Sequence, residues 1–212
     1  KGKAAHAGGA PYKGINALNA AKIGLVAVDA QRETFKDEDH IRVHPIITKG
    51  GDAVNVVPAD VRIDTYVRGA TVEAILDATK KVKRALKAGG DAVGATTEFV
   101  TIPGYLPMPD NAPLRKLMYE NLVQLIGKDA VLLDRPAGGG SSDAADVAHF
   151  LPVLHAYIGG AAGTQHGSDY HIVNKNLAYI VAAKALAMTV IDLLADGAKL
   201  GLAIKKEFHP LL

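Results

Sequence analysis

Apolar positions recur at helical spacing over residues 16–33, where Ala17, Ala20, Ala21, Gly24, Leu25 and Val28 share one face and Asn16 stands ready to cap the first turn. Small residues on that stripe would let the helix lie close to a sheet. Residues 41–48 (IRVHPIIT) are rich in β-branched side chains and predict a strand, and Lys49-Gly50-Gly51-Asp52 predicts a turn. From Val61 the pattern alternates, with Val61, Ile63, Thr65 and Val67 on one face and Arg62, Asp64, Tyr66 and Arg68 on the other. Thr71 then caps a second helix with apolar positions Val72, Ile75, Leu76, Thr79, Val82 and Leu86. Lys80, Lys81, Lys83 and Arg84 near its C-terminal end complement the helix dipole, and Gly89-Gly90 is expected to stop it. Residues 95–102 (ATTEFVTI) predict a further strand.

With a strand around Lys1–His6, expected to be cut short, the order becomes βαββαβ, the ferredoxin-like split pattern, over residues 1–103. Four prolines in residues 103–113 mark a boundary. Residues 104–212 then read as a second unit. It has a helix over Leu114–Ile126, short strands at Ala130–Leu133 and Val153–Ile158, a glycine loop at 138–143, a short helix Ala144–Phe150 and a long Ala/Leu helix over 176–195. Few strands for its length make it half of an α/β sandwich whose core needs other strands. The fold class is therefore α/β (α+β). Lys1–His6 reads like the middle of a chain, so the sequence is expected to begin inside a larger gene product.

At 49% hydrophobic and 22% charged, the composition is that of a globular chain with enough apolar material for a core. Lys+Arg is 24 against Asp+Glu 22, and this balance gives no support for nucleic-acid binding. There is no cysteine, which excludes a disulfide framework, thiolate zinc and a thiol nucleophile. Any metal must rest on histidine and carboxylates. No run reaches eighteen uninterrupted apolar residues, so no membrane span is expected. No signal peptide is visible, and the expected location is the cytoplasm.

Several residues carry candidate chemistry. His166 lies in a Gly- and His-rich loop after a strand, where α/β proteins usually present ligands, although spacing alone favours a solvated loop histidine. Gly138 to Asp143 can be an anion-binding nest, or a plain N-cap by Ser142 or Asp143. Ser141 or Ser142 with His166 as base is a third reading, weakened by the absence of a G-x-S-x-G motif. Arg68 at a strand end can clamp a carboxylate, or pair with Asp64. Asn55 can donate to an oxyanion, or satisfy its own turn. His6, among small residues at a strand end, is accessible for proton or hydrogen-bond chemistry.

These motifs together resemble one family. Gly2-Lys3-Ala4-Ala5-His6-Ala7 with Asn16-Ala17-Leu18 is similar to the start of the lid, or dimerisation, domain of the di-zinc metallopeptidases and amidohydrolases. That family includes aminoacylase, carboxypeptidase G, aminobenzoyl-glutamate hydrolase and the β-alanyl-lysine dipeptidases. Gly50 to Ala59 resembles its asparagine-containing turn, with Arg68 at the usual spacing. Ser141 to Val147, Pro152, His155, His166 and Ala182 to Thr189 resemble its C-terminal part in the aminobenzoyl-glutamate and β-alanyl-lysine branch.

The resemblance implies a lid domain over residues 1–103 and the C-terminal half of a catalytic domain over 104–212. It implies two zinc ions, with manganese or cobalt as alternatives, and hydrolysis of the amide bond in an anionic N-acyl amino acid, aminobenzoyl-glutamate-like compound or dipeptide. His6 and Asn55 would stabilise the oxyanion, Arg68 would hold the substrate carboxylate, and Gly140, Ser141, Ser142 and Asp143 would line the pocket near it. His166 is the single metal ligand of the family found here, so the segment alone is expected to be inactive. The lid sheets of such families pair edge to edge, which implies a homodimer. Neither nucleic acid nor membrane is expected as a partner, and a non-catalytic dimerisation or ligand-binding module is the alternative.

Overall fold

The computed structural model describes residues 1–134 and 141–211. The chain is α+β and its described residues divide into two compact units: Lys1–Pro107, and Met108–Asp134 with Ser141–Leu211.

The first unit is built on helix α1 (Ala17–Ala30), strands β1 (Arg42–Lys49) and β2 (Arg62–Arg68), and helix α2 (Val72–Val93). Both predicted N-caps are made. Asn16 Oδ1 accepts from Leu18 N at 2.9 Å and Asn19 N at 3.0 Å, and Thr71 Oγ1 accepts from Ala74 N at 3.1 Å. Strands β1 and β2 pair antiparallel, with Val43 opposite Val67 facing the helices and Arg42 opposite Arg68 facing away. Val28, Ile41, Val43, Ala74, Ala78, Val82 and Ala85 form the core, closed by Phe35, Val67 and Leu86.

Helix α2 departs from its pattern in two ways. Its buried face is the alanine row Ala74, Ala78, Val82 and Ala85, while Leu76 is exposed. The reason is the close crossing of α1 and α2, which admits only small side chains at the contact. Nor do Gly89 and Gly90 end the helix. They are buried within it, and Gly94 in the left-handed region (φ 75°) closes it.

The outer strands of the βαββαβ pattern are extended but scarcely laddered. The N-terminal segment makes two isolated bridges, Lys3 with Ile15 and His6 with Val56. Pro58, lacking an N–H, interrupts the pairing partner. Residues 95–102 form no strand; only Thr96 exchanges backbone bonds with Lys1, at 2.7 and 2.8 Å. Asp60 ties this end together, accepting from Lys1 Nζ at 2.6 Å and from Arg62 Nε at 3.2 Å, with Lys49 Nζ 3.4 Å away. Those cations hold its carboxyl well below the usual carboxylate range, Lys1 contributing most and Arg62 next, against a smaller opposing effect of burial.

The second unit packs α3 (Ala112–Ile126) against α5 (Ala182–Glu207). Met118, Leu122, Val181 and Ala185 form its core. A polar bridge crosses the same contact: Asn121 Nδ2 donates to Thr189 Oγ1 at 3.1 Å and Asp192 Oδ2 at 2.9 Å. Short helix α4 (Asp143–Ala148) and a two-rung hairpin of β3 (Ala161–Ala162) and β4 (His171–Ile172) complete it. The predicted strands at 130–133 and 153–158 are absent: 128–130 is a 3-10 turn and 153–158 is irregular. A segment becomes a strand only where a second one meets its backbone groups, and no second segment meets these among the described residues. Asn176–Glu207 is long and apolar enough to cross a membrane by length and composition, its most apolar 18-residue window reaching a mean hydropathy of 1.9, where the sequence pattern predicted no span. Its helical course is broken at Ala195–Ala198, where Asp196, Gly197 and Ala198 take left-handed conformations.

Candidate functional site

His6 and Asn55 are brought together by the backbone. The His6–Val56 bridge and the bond from Ala7 N to Asn55 O (2.9 Å) place the two residues side by side on the first unit, and both are exposed. The chain after His6 turns sharply, so that the Gly8 and Gly9 amides both donate to His6 Nδ1, at 3.2 and 2.9 Å. A ring nitrogen that accepts two N–H groups carries no proton. In a neutral imidazole the one ring proton is therefore on Nε2, which is left as the donor. Asn55, in the turn that precedes the bridge, carries a second neutral donor in its side-chain amide.

Arg68 closes β2. Its guanidinium lies over the Tyr66 ring, 4.7 Å from the centroid. Arg42 stands on the same rung, directly across the ladder and on the same outward face, followed by His44 opposite Tyr66. The sequence reading selected Arg68 alone. The alternation through Ile41, Val43 and Pro45 already placed Arg42 and His44 outward, but only the strand register sets Arg42 against Arg68.

The remaining candidates lie in the second unit. Ser142 is the N-cap residue of α4, yet its hydroxyl caps nothing and lies 3.4 Å from His155 Nδ1. His155 stacks on Tyr157 at 5.0 Å. Ser141 precedes it, half-buried, and Asp143 opens the helix, exposed. Gly140 lies outside the described residues. His166 is exposed at the tip of the β3–β4 hairpin in a left-handed conformation (φ 67°), in a turn closed by Gly167 N donating to Thr164 O at 2.7 Å. His171 Nδ1 is 2.7 Å from the Asp169 carbonyl oxygen. Among the described residues no three His, Asp or Glu side chains converge as a metal needs. The described side chains do not by themselves make a catalytic zinc site.

Residues 1–93 match the family model of the M20-type peptidase dimerisation domain. The chain belongs to the M20 peptidase family. Along nearly its whole length this M20 chain is similar to the mouse Xaa-Arg dipeptidase, 31% identical over 217 residues that cover 98% of this chain and 49% of the relative. The fold is shared with a tripeptidase from Staphylococcus aureus, with TM-score 0.65 and 22% identity over 89% of this chain and 48% of that one. It is shared also with the aminobenzoyl-glutamate utilization protein of Klebsiella pneumoniae, with TM-score 0.61 and 22% identity over 92% of this chain and 47% of that one. This M20 chain thus spans about half the length of the curated relatives it matches.

Proposed function

We propose that this chain is part of a metal-dependent hydrolase that cleaves the amide bond of N-acyl amino acids, aminobenzoyl-glutamate-like compounds or dipeptides. The observation that carries the reading is the state of His6. Two backbone amides occupy Nδ1, so the ring offers Nε2–H, and Asn55 stands beside it with a second N–H donor. Two fixed neutral donors are what an oxygen needs as it gains charge when its carbonyl is attacked. Neither is an acid that would lose a proton to that oxygen. The substrate's carboxylate is assigned to Arg68, whose cation lies over the Tyr66 ring.

The metal is expected to be zinc, with manganese or cobalt as alternatives. His166 is offered as one ligand of a site completed by residues outside these 212. Gly140, Ser141, Ser142 and Asp143 are assigned to the pocket near the substrate carboxylate. A homodimer paired through the sheet of the first unit and a cytoplasmic location belong to the same reading, as do the boundary near residue 103 and the absence of nucleic-acid or membrane partners.

The test is kinetic and uses the full-length protein. His6→Ala and Asn55→Ala should each lower kcat by about 10²-fold to 10³-fold with little change in KM, as losing one oxyanion donor does. Arg68→Ala should instead raise KM. Unchanged kinetics in all three would replace the hydrolase reading with the non-catalytic module.

A further inference from the structure

We propose that Tyr66 is a positioning residue for Arg68: its ring holds the guanidinium ready for the substrate carboxylate, and so lowers KM without touching the reacting atoms. The inference rests on the assignment of Arg68 to that carboxylate. Tyr66 and Arg68 are two residues apart on β2, so their side chains leave the same face of the strand, with Cα atoms about 7 Å apart. Arg68 Cζ lies 4.7 Å from the centroid of the Tyr66 ring, inside the reach of about 6 Å over which a ring face attracts a cation. Tyr66 is 62% exposed, and the core of the first unit is made on the opposite face, through Val43 and Val67. That core does not call for an aromatic residue at 66; the contact with Arg68 is what the ring provides.

The backbone that carries Arg68 is anchored, whereas its side chain is long. In the residues that follow, Ala70 N donates to Asp39 O at 2.8 Å, and a Cβ on Gly69 would come within 2.8 Å of Ile41 Cδ1. The end of β2 is thus pressed against the chain entering β1. An arginine side chain loses more rotamer freedom on being ordered than most others, and a ligand that orders it carries that cost. A guanidinium already resting on a ring has given up part of that freedom before the substrate arrives. Only a π face supplies the attraction, since an aliphatic side chain at 66 gives bulk without the negative ring face. At an exposed site such a contact is worth about twofold to fivefold in affinity.

The experiment measures kcat and KM of the full-length protein on N-acetylmethionine, aminobenzoyl-glutamate and β-alanyl-lysine, each of which carries a free carboxylate. Tyr66→Ile and Tyr66→Leu should raise KM by about twofold to fivefold at unchanged kcat, and either one decides if the other fails to fold. Tyr66→Phe, which keeps the ring, should retain the wild-type KM. In an Arg68→Ala background the change at 66 should have no further effect. Wild-type KM in the aliphatic variants would overturn the role of Tyr66, as would an equal rise in Tyr66→Phe or a rise that persists without Arg68. Each of these results leaves the hydrolase reading intact. Wild-type KM in Arg68→Ala alone would remove the assignment of Arg68 and this proposal with it. Hydrolysis of none of the three compounds would overturn both the hydrolase reading and the role of Tyr66.

Discussion

Gly89 of α2 lies directly against Gly24 of α1: a Cβ on Gly89 would come within 2.4 Å of both the Gly24 amide nitrogen and the Ala20 carbonyl oxygen. Both obstacles are backbone, so the helices must separate before any side chain fits. Gly89→Ala should therefore destabilise the first unit by about 2–3 kcal/mol, the upper range for overpacking, and more if the crossing cannot adjust. Gly104→Ala is the control, because nothing lies within 4 Å of its added methyl. It should stay within about 0.5 kcal/mol of wild type. Urea titrations of the two variants measure the difference.

Asp60 gives the first unit an acid-sensitive clasp. Its folded carboxyl is held below the ordinary aspartate value of 3.8, first by Lys1 and then by Arg62. A depressed folded pKa means that the unfolded state binds protons more readily. The contribution is thus fully present above about pH 4 and is lost as the pH falls through the folded value. Asp60→Asn should lower the urea midpoint at pH 7, and its deficit should shrink steadily as the pH is lowered below about 4. Added salt should shrink it as well, since Lys1 and Arg62 are largely exposed.

The two N-caps of the first unit offer a cleaner measure of local structure. Asn16 satisfies two amides of α1 with one oxygen, and Thr71 satisfies one of α2. Asn16→Ala and Thr71→Ala should each cost about 1 kcal/mol. Asn16→Asp should recover most of the loss, because a carboxylate both accepts the bonds and complements the helix dipole. A double variant should be close to additive, given that the caps touch different helices.

What the pattern could tell, it told locally. Alternation set the outward face of β2, and the capping residues were legible because each acts within three residues of itself. The alanine face of α2 was not legible, because leucine and isoleucine dominate any apolar stripe until a second helix restricts the space. The strands at 95–102, 130–133 and 153–158 share another failing. Their β-branched and apolar content states a preference, and pairing needs a neighbour that sequence order does not name. The site divides along the same line. Arg68, His6 and Asn55 could be marked one at a time, whereas the tautomer of His6 and the rung shared by Arg42 and Arg68 are relations that only the fold creates.

Ser142 should not behave as a nucleophile. Its hydroxyl faces His155 at 3.4 Å, beyond the usual reach of an activating bond, and His155 stacks on Tyr157 with no carboxylate bonded to it among the described residues. The loop histidine His166, once a possible base, is placed at a hairpin tip. A fluorophosphonate probe should leave the protein unlabelled, and Ser142→Ala should retain kcat, with any loss confined to KM as expected of a pocket residue. Labelling at Ser142 would revive the serine-hydrolase reading.

Asn121 is the most sensitive polar position of the second unit. It is 3% exposed, Thr189 beside it is 7% exposed, and its amide joins Thr189 and Asp192 across the α3–α5 contact. Asn121→Leu fills similar volume but leaves the Asp192 oxygen without its donor. The expected cost is about 1–3 kcal/mol. Asn121→Asp should cost more at pH 7, because it buries a second carboxylate against Asp192. Burial and that neighbour would raise the folded pKa of the new acid above its unfolded value. The folded variant then binds protons more readily than the unfolded one, so its deficit should narrow as pH falls from 7 toward 4. Thermal or urea unfolding at the two pH values separates the variants: the aspartate deficit should narrow more than the leucine deficit. No loss in the leucine variant would mean that Asn121 serves by its volume and not by its hydrogen bonds.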